Sequence, residues 1–166
     1  MLTLPTKIRR KKQPYLAIRS HLSRRQIEKQ ALLFMSEVRA YMEGQGIEDF
    51  GPAFIRFNAF DENGEGDMEF GFFTERQYSA PYPMRSGSLP GGTFTSTIWR
   101  GDYERLIEVN TMLLGWGCMT NVQWECAKID SAGFNGCRLA IFHTTSRTEP
   151  DPKDWVTEMA ILQKAA

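Results

Sequence analysis

The stretch PDPKDWVTEMAILQK, residues 150–164, decides how this chain is interpreted. Pro150 and Pro152 disfavour a helix, and the run from Trp155 to Leu162 that follows predicts a β-strand in which Glu158 is the only charge. Side chains alternate across a strand, so one face carries Thr157, Met159 and Ile161, and the other carries Val156, Glu158, Ala160 and Leu162. If helices cover the first face, Glu158 lies on the opposite face among small or apolar neighbours.

A carboxylate in such a place needs compensation, because taking an unpaired ion out of water costs several kcal/mol. Three explanations are open for Glu158: an internal Arg or Lys partner, a protonated carboxyl group, or a cationic or proton-accepting ligand. A fourth is that the strand lies at a sheet edge and Glu158 faces solvent. The strand alone does not decide between them.

The composition indicates one ordinary globular core or two small packed halves, with 166 residues, 42% of them hydrophobic, and a mean hydropathy of -0.40. Twenty basic residues balance twenty acidic ones, so no overall field attracts nucleic acid or an anionic membrane. The sequence contains neither an apolar run of membrane-spanning length nor a signal segment. We therefore expect a cytoplasmic protein without direct nucleic-acid or membrane partners.

Motifs with strong chemical meaning are missing from the sequence: it contains no Gly-rich phosphate loop, no H-E-x-x-H and no G-x-S-x-G. The sequence has three cysteines, Cys118, Cys126 and Cys137. Their odd number and the lack of C-x-x-C spacing predict free thiols instead of disulfides or a zinc site. His21 and His143 lie in apolar-alternating strands and receive no role. We expect neither a cofactor nor a metal.

The order of predicted elements is strand, helix, strand, strand, and it occurs twice. The basic residues 1–13 are predicted to be a flexible tail, followed by a single domain over residues 14–166 with halves at about 14–76 and 89–164. A capping box at Ser23–Gln26 predicts the first helix, which ends near Gly44 and Gly46. Residues 77–92, rich in Pro, Ser, Gly and Tyr, are predicted to link the halves.

Aromatic residues and a second glutamate suggest a binding site around Glu158. Glu69 lies on a predicted strand with Gly71 and Phe73 on its face, a placement like that of Glu158. The predicted ligand-binding residues are Glu158, Glu69, Trp99 and Tyr103, with Phe73, Tyr15 and Tyr82 as possible additions. Rings around a carboxylate favour a flat cationic molecule, with each cation–ring contact contributing about 0.5–2 kcal/mol. The alternative for each aromatic residue is ordinary packing.

Three segments together resemble the GyrI-like, or AraC-type effector-binding, domain family. They are LPGGT at residues 89–93, WRGDYE at residues 99–104, and PDPKDWVTE at residues 150–158, supported by QPYLAIR at 13–19 and DMEFGF at 67–72. The resemblance implies an α+β fold in which two pseudo-symmetric halves form a concave antiparallel sheet with helices on one face. It also implies a ligand cleft where the halves meet, with Glu158 at its floor.

The resemblance implies small-molecule binding, often of amphipathic cations. Many members carry a helix-turn-helix segment before this domain. Only 13 residues precede the first predicted strand here, so we expect a stand-alone protein that sequesters or senses its ligand. Trp99 stands where histidine is common in the family, and residues 118–136 are longer than usual.

Two other functions compete with simple binding. Some GyrI-like proteins hydrolyse strained cyclopropane-bearing electrophiles, and Glu158 and Glu69 would be the catalytic pair, one as a general acid with a raised pKa and the other activating water. A protein that binds a macromolecule such as gyrase is the other alternative, and inhibition of supercoiling without a small molecule would test it. The sequence leaves the natural ligand and the oligomeric state open.

Overall fold

Eight strands and two helices make up the computed structural model, which describes residues 1–48, 50–61, 63–125 and 136–165. The strands are β1 Thr6–Arg10, β2 Gln13–Ser23, β3 Phe50–Phe60, β4 Glu65–Thr74, β5 Met84–Leu89, β6 Gly92–Arg100, β7 Arg138–Phe142 and β8 Val156–Leu162. The helices are α1 Ile27–Gly44 and α2 Leu106–Met119. All strands belong to one antiparallel sheet with the order β1-β6-β8-β7-β3-β4-β2-β5.

The sheet consists of two halves with the same topology, which confirms the predicted fold. The first half is β2-α1-β3-β4 and the second is β6-α2-β7-β8, and they join where β3 pairs with β7. In each half the last strand lies between the other two, so β4 and β8 hold equivalent positions. Glu69 on β4 and Glu158 on β8 thus lie on equivalent strands of the two halves.

Both helices pack on one face of the sheet, which we call the helix face. Val38 and Met42 of α1 and Val109 and Leu113 of α2 are buried in a core that includes Met159 and other strand residues. The predicted capping box is present before α1, where the backbone N–H of Ser23 donates to Gln26 Oε1 at 3.0 Å. It fixes the turn that leads from β2 into the helix.

The opposite face, which we call the concave face, has a separate buried cluster. Its members are Tyr15, Ala17, Phe54, Phe73, Leu89, Phe94, Cys137, Leu139, Ile141, Ala160 and Leu162. Every strand from β2 to β8 contributes to this cluster; Leu89 is the last residue of β5, and Cys137 directly precedes β7. Because side chains alternate, Glu158 shares this face with Ala160 and Leu162, as the strand pattern predicts.

Two segments differ from the sequence expectation, because each forms an extra edge strand. Residues 6–10, predicted to be a tail, form β1 along β6, with Ile8 opposite Phe94. Residues 84–89, predicted to be linker, form β5 along β2. The outer strand of each half otherwise leaves a row of backbone N–H and C=O groups unpaired, and a flanking strand satisfies them whatever its charge.

The end of α2 also lies later than predicted. The sequence places the stop near Gly115 to Gly117, but the helix continues to Met119, and Asn121 then adopts a φ of 55°. A Cβ at Gly117 would lie 2.0 Å from the ring of Trp124, so this glycine permits close packing and does not end the helix. The predictions for Cys126 and for residues 126–135 lie outside the described residues.

Membrane insertion through a helix finds no support in the part of the chain that the structure describes, since neither helix there is both long and apolar enough to cross a bilayer.

Candidate functional site on the concave face

Glu158 is buried on the concave face and is surrounded by hydrogen-bond donors. Only 4% of the residue is exposed. Arg10 of β1 donates to Oε1 as an ion pair, Ser96 of β6 donates to the same oxygen at 2.5 Å, and Nε2 of His143 lies 3.0 Å from Oε2. Among the explanations that the sequence left open for Glu158, the structure therefore supports an internal cationic partner, which is Arg10.

These partners keep Glu158 ionised. Burial alone raises the pKa of the carboxyl group, but hydrogen bonds with His143, Arg10 and Ser96 and the positive charge of Arg10 outweigh it and lower the pKa to about 2. A glutamate with this pKa carries its charge throughout the neutral range. The hydrolytic role of a general acid with a raised pKa therefore does not fit Glu158.

Glu69 is the centre of a second buried cluster, on β4. The Tyr15 hydroxyl donates to Oε1 at 2.8 Å, Asn58 Nδ2 donates to Oε2 at 3.0 Å, and Arg56 NH1 lies 3.8 Å from Oε2. Burial first and Glu69 second raise the pKa of Tyr15 to about 12, so the phenol stays protonated and remains a donor. Glu69 thus faces the concave side, a point that the sequence left open.

The thiol of Cys137 lies within electrostatic reach of both clusters. Burial raises its pKa to about 11, Arg56 and Arg10 act to lower it, and Glu69 acts to raise it. The residue is 2% exposed and is a free cysteine. Its side chain is therefore neutral and lacks the thiolate that nucleophilic chemistry needs.

A cavity of about 300 Å³ opens on the same face. It is lined by residues from both halves, from β1 and from the chain next to these elements: Ile8, Arg9, Arg10, Lys11, Gln13, Phe73, Leu89, Pro90, Phe94 and Leu139. The Phe73 ring is stacked on Phe54 with centroids 4.8 Å apart, so one wall is a fixed aromatic surface. Arg10 joins this cavity to Glu158.

Trp99 and Tyr103 lie on the helix face, which corrects the predicted site. In the register of β6 and β8, Glu158 is opposite Ile98 and Trp99 is opposite Thr157. The Trp99 indole packs against the helix-face core and donates from Nε1 to the carbonyl of Asp102 at 2.7 Å. Tyr103 packs between Phe142 and Trp155, with centroids at 5.2 and 4.4 Å. Neither ring can stack on a molecule held by Glu158.

The remaining predicted residues divide in the same way. Tyr15 and Phe73 belong to the concave cluster, as members of the Glu69 site and of the cavity wall respectively. Tyr82 is 94% exposed. The structure thus brings Glu158, Glu69, Tyr15 and Phe73 to one face.

Sequence reasoning missed the residues that hold the two carboxylates. His143 could have been found, because it follows Leu139 and Ile141 at alternate positions and so shares their face. Arg56 is directly opposite Glu69 in the sheet, a signal that appears once β3 and β4 are paired. Arg10 gave no local signal, since it lies in a basic run without an apolar pattern.

One trio of possible metal ligands occurs among the described residues. Ligand atoms of His21, Asp61 and Glu65 lie within 4.8 Å of one another at an exposed end of the sheet. Asp61 Oδ1 already accepts the backbone N–H groups of Asn63 and Glu65, at 2.9 and 3.0 Å. This arrangement is that of a turn before β4, and we assign it no metal.

Sequence comparisons identify no relative: no protein-family model matches, and no curated protein matches. Comparison of structures does find similar folds. The C-terminal domain of EcmrR aligns with a TM-score of 0.75 at 12% identity, covering 98% of both chains. In an EcmrR–DNA complex the TM-score is 0.79, and this chain spans 58% of that protein.

Two further structures share the architecture at lower similarity. SAV2435 bound to tetraphenylphosphonium aligns with a TM-score of 0.59 at 9% identity, covering 98% of this chain and 95% of that one. A hydrolase from Listeria innocua aligns at 0.55 and 10% identity, covering 96% and 91%. At these identities the comparisons show the fold alone, and that fold is the effector-binding type predicted from the sequence.

Proposed function

We propose that this protein binds flat aromatic small molecules on the concave face and thereby sequesters or senses them. The observation that carries the proposal is a cavity shared by both halves, walled by Phe73 and Phe94 and adjoining the ionised Glu158. Small-molecule sites are mostly apolar cavities with a few fixed polar groups, and about 300–1,000 Å³ is their usual volume. A similar fold, that of SAV2435, has been solved with tetraphenylphosphonium bound.

The charge of the ligand depends on Arg10. The sequence prediction of a cationic ligand rests on Glu158 as its anionic partner, but the Arg10 guanidinium already holds that carboxylate. A cation would therefore bind Glu158 only by taking the place of Arg10. For such a ligand, Glu158→Gln should weaken binding and Arg10→Gln should strengthen it.

The experiment that tests the proposal separates the two faces of the sheet. A panel of flat aromatic dyes is titrated by calorimetry into the wild type, Phe73→Leu and Trp99→Phe. We expect Phe73→Leu to weaken binding about tenfold, since ring–ring contacts contribute about 0.5–1.5 kcal/mol beyond the area buried. Trp99→Phe should leave binding unchanged because Trp99 lies on the helix face. The reverse pattern would restore the aromatic site predicted from the sequence and overturn ours.

Hydrolysis is a second proposal, which the contact between His143 and Glu158 favours. A buried carboxylate that holds one ring nitrogen of a half-exposed histidine orients that histidine as a general base. In this version His143 activates water, and Glu158 positions it instead of serving as an acid. Mass spectrometry of a cyclopropane-bearing alkylator should then show a hydrated, ring-opened product with the wild type and none with His143→Gln. An unchanged alkylator would leave binding as the function.

A further inference from the structure

The cavity on the concave face combines apolar walls with a basic mouth. Phe73, Leu89, Phe94 and Leu139 are buried residues that line it, and Arg10 at the end of β1 and Lys11 directly after it also line it. Among the described residues, no aspartate or glutamate is part of the lining. The volume of about 300 Å³ suits a body of one or two fused rings.

Both buried carboxylates of this face already have cations beside them. Arg10 holds Glu158, and Arg56 lies beside Glu69. Tyr15 and Asn58 also donate to Glu69. Ser96 and His143 also form hydrogen bonds with Glu158. A cationic ligand entering the cavity thus meets basic groups, and Glu69 and Glu158 already have partners, whereas an anion meets an attractive field.

Arg10 has donors to spare for an anion. Its NH2 group donates to Glu158, its guanidinium carbon lies 6.0 Å from the centroid of the Phe94 ring, and its side chain is 28% exposed. The buried Nε has no hydrogen-bond partner among the described residues. A buried donor without an acceptor costs about 1–3 kcal/mol, and a guanidinium offers five N–H groups in a fork that fits a carboxylate.

We propose that this cavity binds an amphipathic organic anion, such as an aromatic carboxylate, whose charged group contacts Arg10 and whose ring packs between Phe73 and Phe94. The inference rests on the proposed function, because it names the ligand class of the same face. It reverses the charge preference expected from the sequence. The reason is that β1 supplies the cation that a ligand would otherwise provide.

The test uses three probes that share a ring system and differ in charge. These are 2-naphthoate, 2-naphthylmethanol and 2-naphthylmethylammonium, each titrated into the full chain by calorimetry. We expect 2-naphthoate to bind about tenfold more tightly than the ammonium compound, since a charge-assisted hydrogen bond contributes about 1.5–3 kcal/mol. Arg10→Gln should abolish that difference and change the affinity for the uncharged alcohol less than about twofold.

Two further variants give the test its controls. Lys7→Gln removes the same charge from the same strand, but Lys7 is opposite Thr95 and exposed, so the preference for 2-naphthoate should persist. Glu158→Gln frees Arg10 and should tighten 2-naphthoate binding. If Arg10→Gln detaches β1, Arg10→Lys keeps the charge without the fork and should retain part of the preference.

The outcomes separate this inference from the proposed function. Binding of the alcohol or the ammonium compound without any preference for 2-naphthoate would overturn the anion site and leave an aromatic-binding face. A preference that survives Arg10→Gln would overturn the role of Arg10. If none of the three probes binds, the proposed function fails together with the inference.

Discussion

The two buried glutamates hold equivalent positions in the two halves, yet their surroundings differ in origin and in exposure. Glu69 is held by Tyr15, Asn58 and Arg56, all from strands of its own half. Glu158 is held by Ser96 of its own half, by His143 beyond the end of β7, and by Arg10 of the added strand β1. The two halves therefore share the position of the carboxylate without sharing its partners.

The partners of the two glutamates differ in how far solvent can reach them. Tyr15 is 3% exposed and fixed inside the sheet, whereas the side chains of His143 and Arg10 are 42% and 28% exposed. A small molecule can reach the groups around Glu158 without opening the fold, but the Tyr15 contact with Glu69 is closed. We expect a ligand that enters the shared cavity to contact the charged cluster around Glu158, and we expect the Glu69 cluster to support the fold.

The largest effect expected from this comparison concerns the residue two positions after each glutamate, Gly71 in one half and Ala160 in the other. A Cβ at Gly71 would lie 1.9 Å from the Leu16 carbonyl oxygen and 2.7 Å from Ala17. Backbone cannot yield as a flexible side chain does, so Gly71→Ala should lower the free energy of unfolding by about 3 kcal/mol, the upper part of the range for overpacking. Urea denaturation measures the loss.

The matched control is Ala160→Gly, which places glycine at the equivalent position of β8. It removes one buried methyl group and adds backbone freedom, and it should lower the free energy of unfolding by about 1 kcal/mol. If Gly71→Ala has no greater effect than Ala160→Gly, β2 and β4 are not packed as tightly as the structure indicates. The first half would then lose its role as the rigid one.

Much of this arrangement follows from strand alternation. The pattern around Glu158 predicts that Thr157 and Met159 lie on the other face of the strand, and these residues do lie on the helix face. The duplicated order of elements and the capping box at Ser23 also follow from local residue types. Such features depend on neighbours within one segment, which a sequence displays directly.

The misplaced aromatic residues show where alternation stops being informative. Alternation along β6 correctly puts Trp99 on one face of the strand and Phe94 and Ile98 on the other. Which of these two faces also carries Glu158 depends on the register between β6 and β8. Ile98 pairs with Glu158 and therefore shares its face, so Trp99 lies on the other face of the sheet. Register depends on pairing between distant segments, and the edge strand that contains Arg10 depends on the same kind of pairing.

The next largest expected effect is a pH dependence of stability, which arises from the charged cluster around Glu158 in the second half. The pKa of Glu158 is lowered from 4.5 to about 2 in the folded protein, so its stabilising contribution is present above about pH 4.5 and is lost as the pH falls towards 2. Each unit of pKa corresponds to about 1.4 kcal/mol, and part of the shift is offset by solvent around Arg10. We expect Glu158→Gln to cost about 2 kcal/mol at pH 7.

The measurement is urea denaturation of the wild type and Glu158→Gln at pH 7, 5, 4 and 3. The gap in the free energy of unfolding between the two proteins should narrow steadily below pH 4.5. Protonation neutralises Glu158 in the wild type, and the substitution does so at every pH. Asp67→Asn is the control, since the Asp67 ion pair with Arg19 is a more exposed one in the first half. A gap that stays constant with pH would mean that the cluster around Glu158 does not stabilise its charge.

The smallest effect compares single hydroxyl donors in the two clusters. Tyr15→Phe removes the 2.8 Å hydrogen bond to Glu69, and Ser96→Ala removes the 2.5 Å hydrogen bond to Glu158. Tyr15 is the donor to Glu69 Oε1 among the described residues, so Tyr15→Phe leaves that oxygen without it and should cost about 1.5 kcal/mol, the value for a buried hydrogen bond to a charged group. Glu158 keeps Arg10 and His143, and Ser96→Ala should cost about 0.5 kcal/mol. Equal losses in thermal or urea unfolding would show that Arg10 does not compensate for the lost serine donor, and the distinction between a fixed Glu69 cluster and an adaptable Glu158 cluster would not stand.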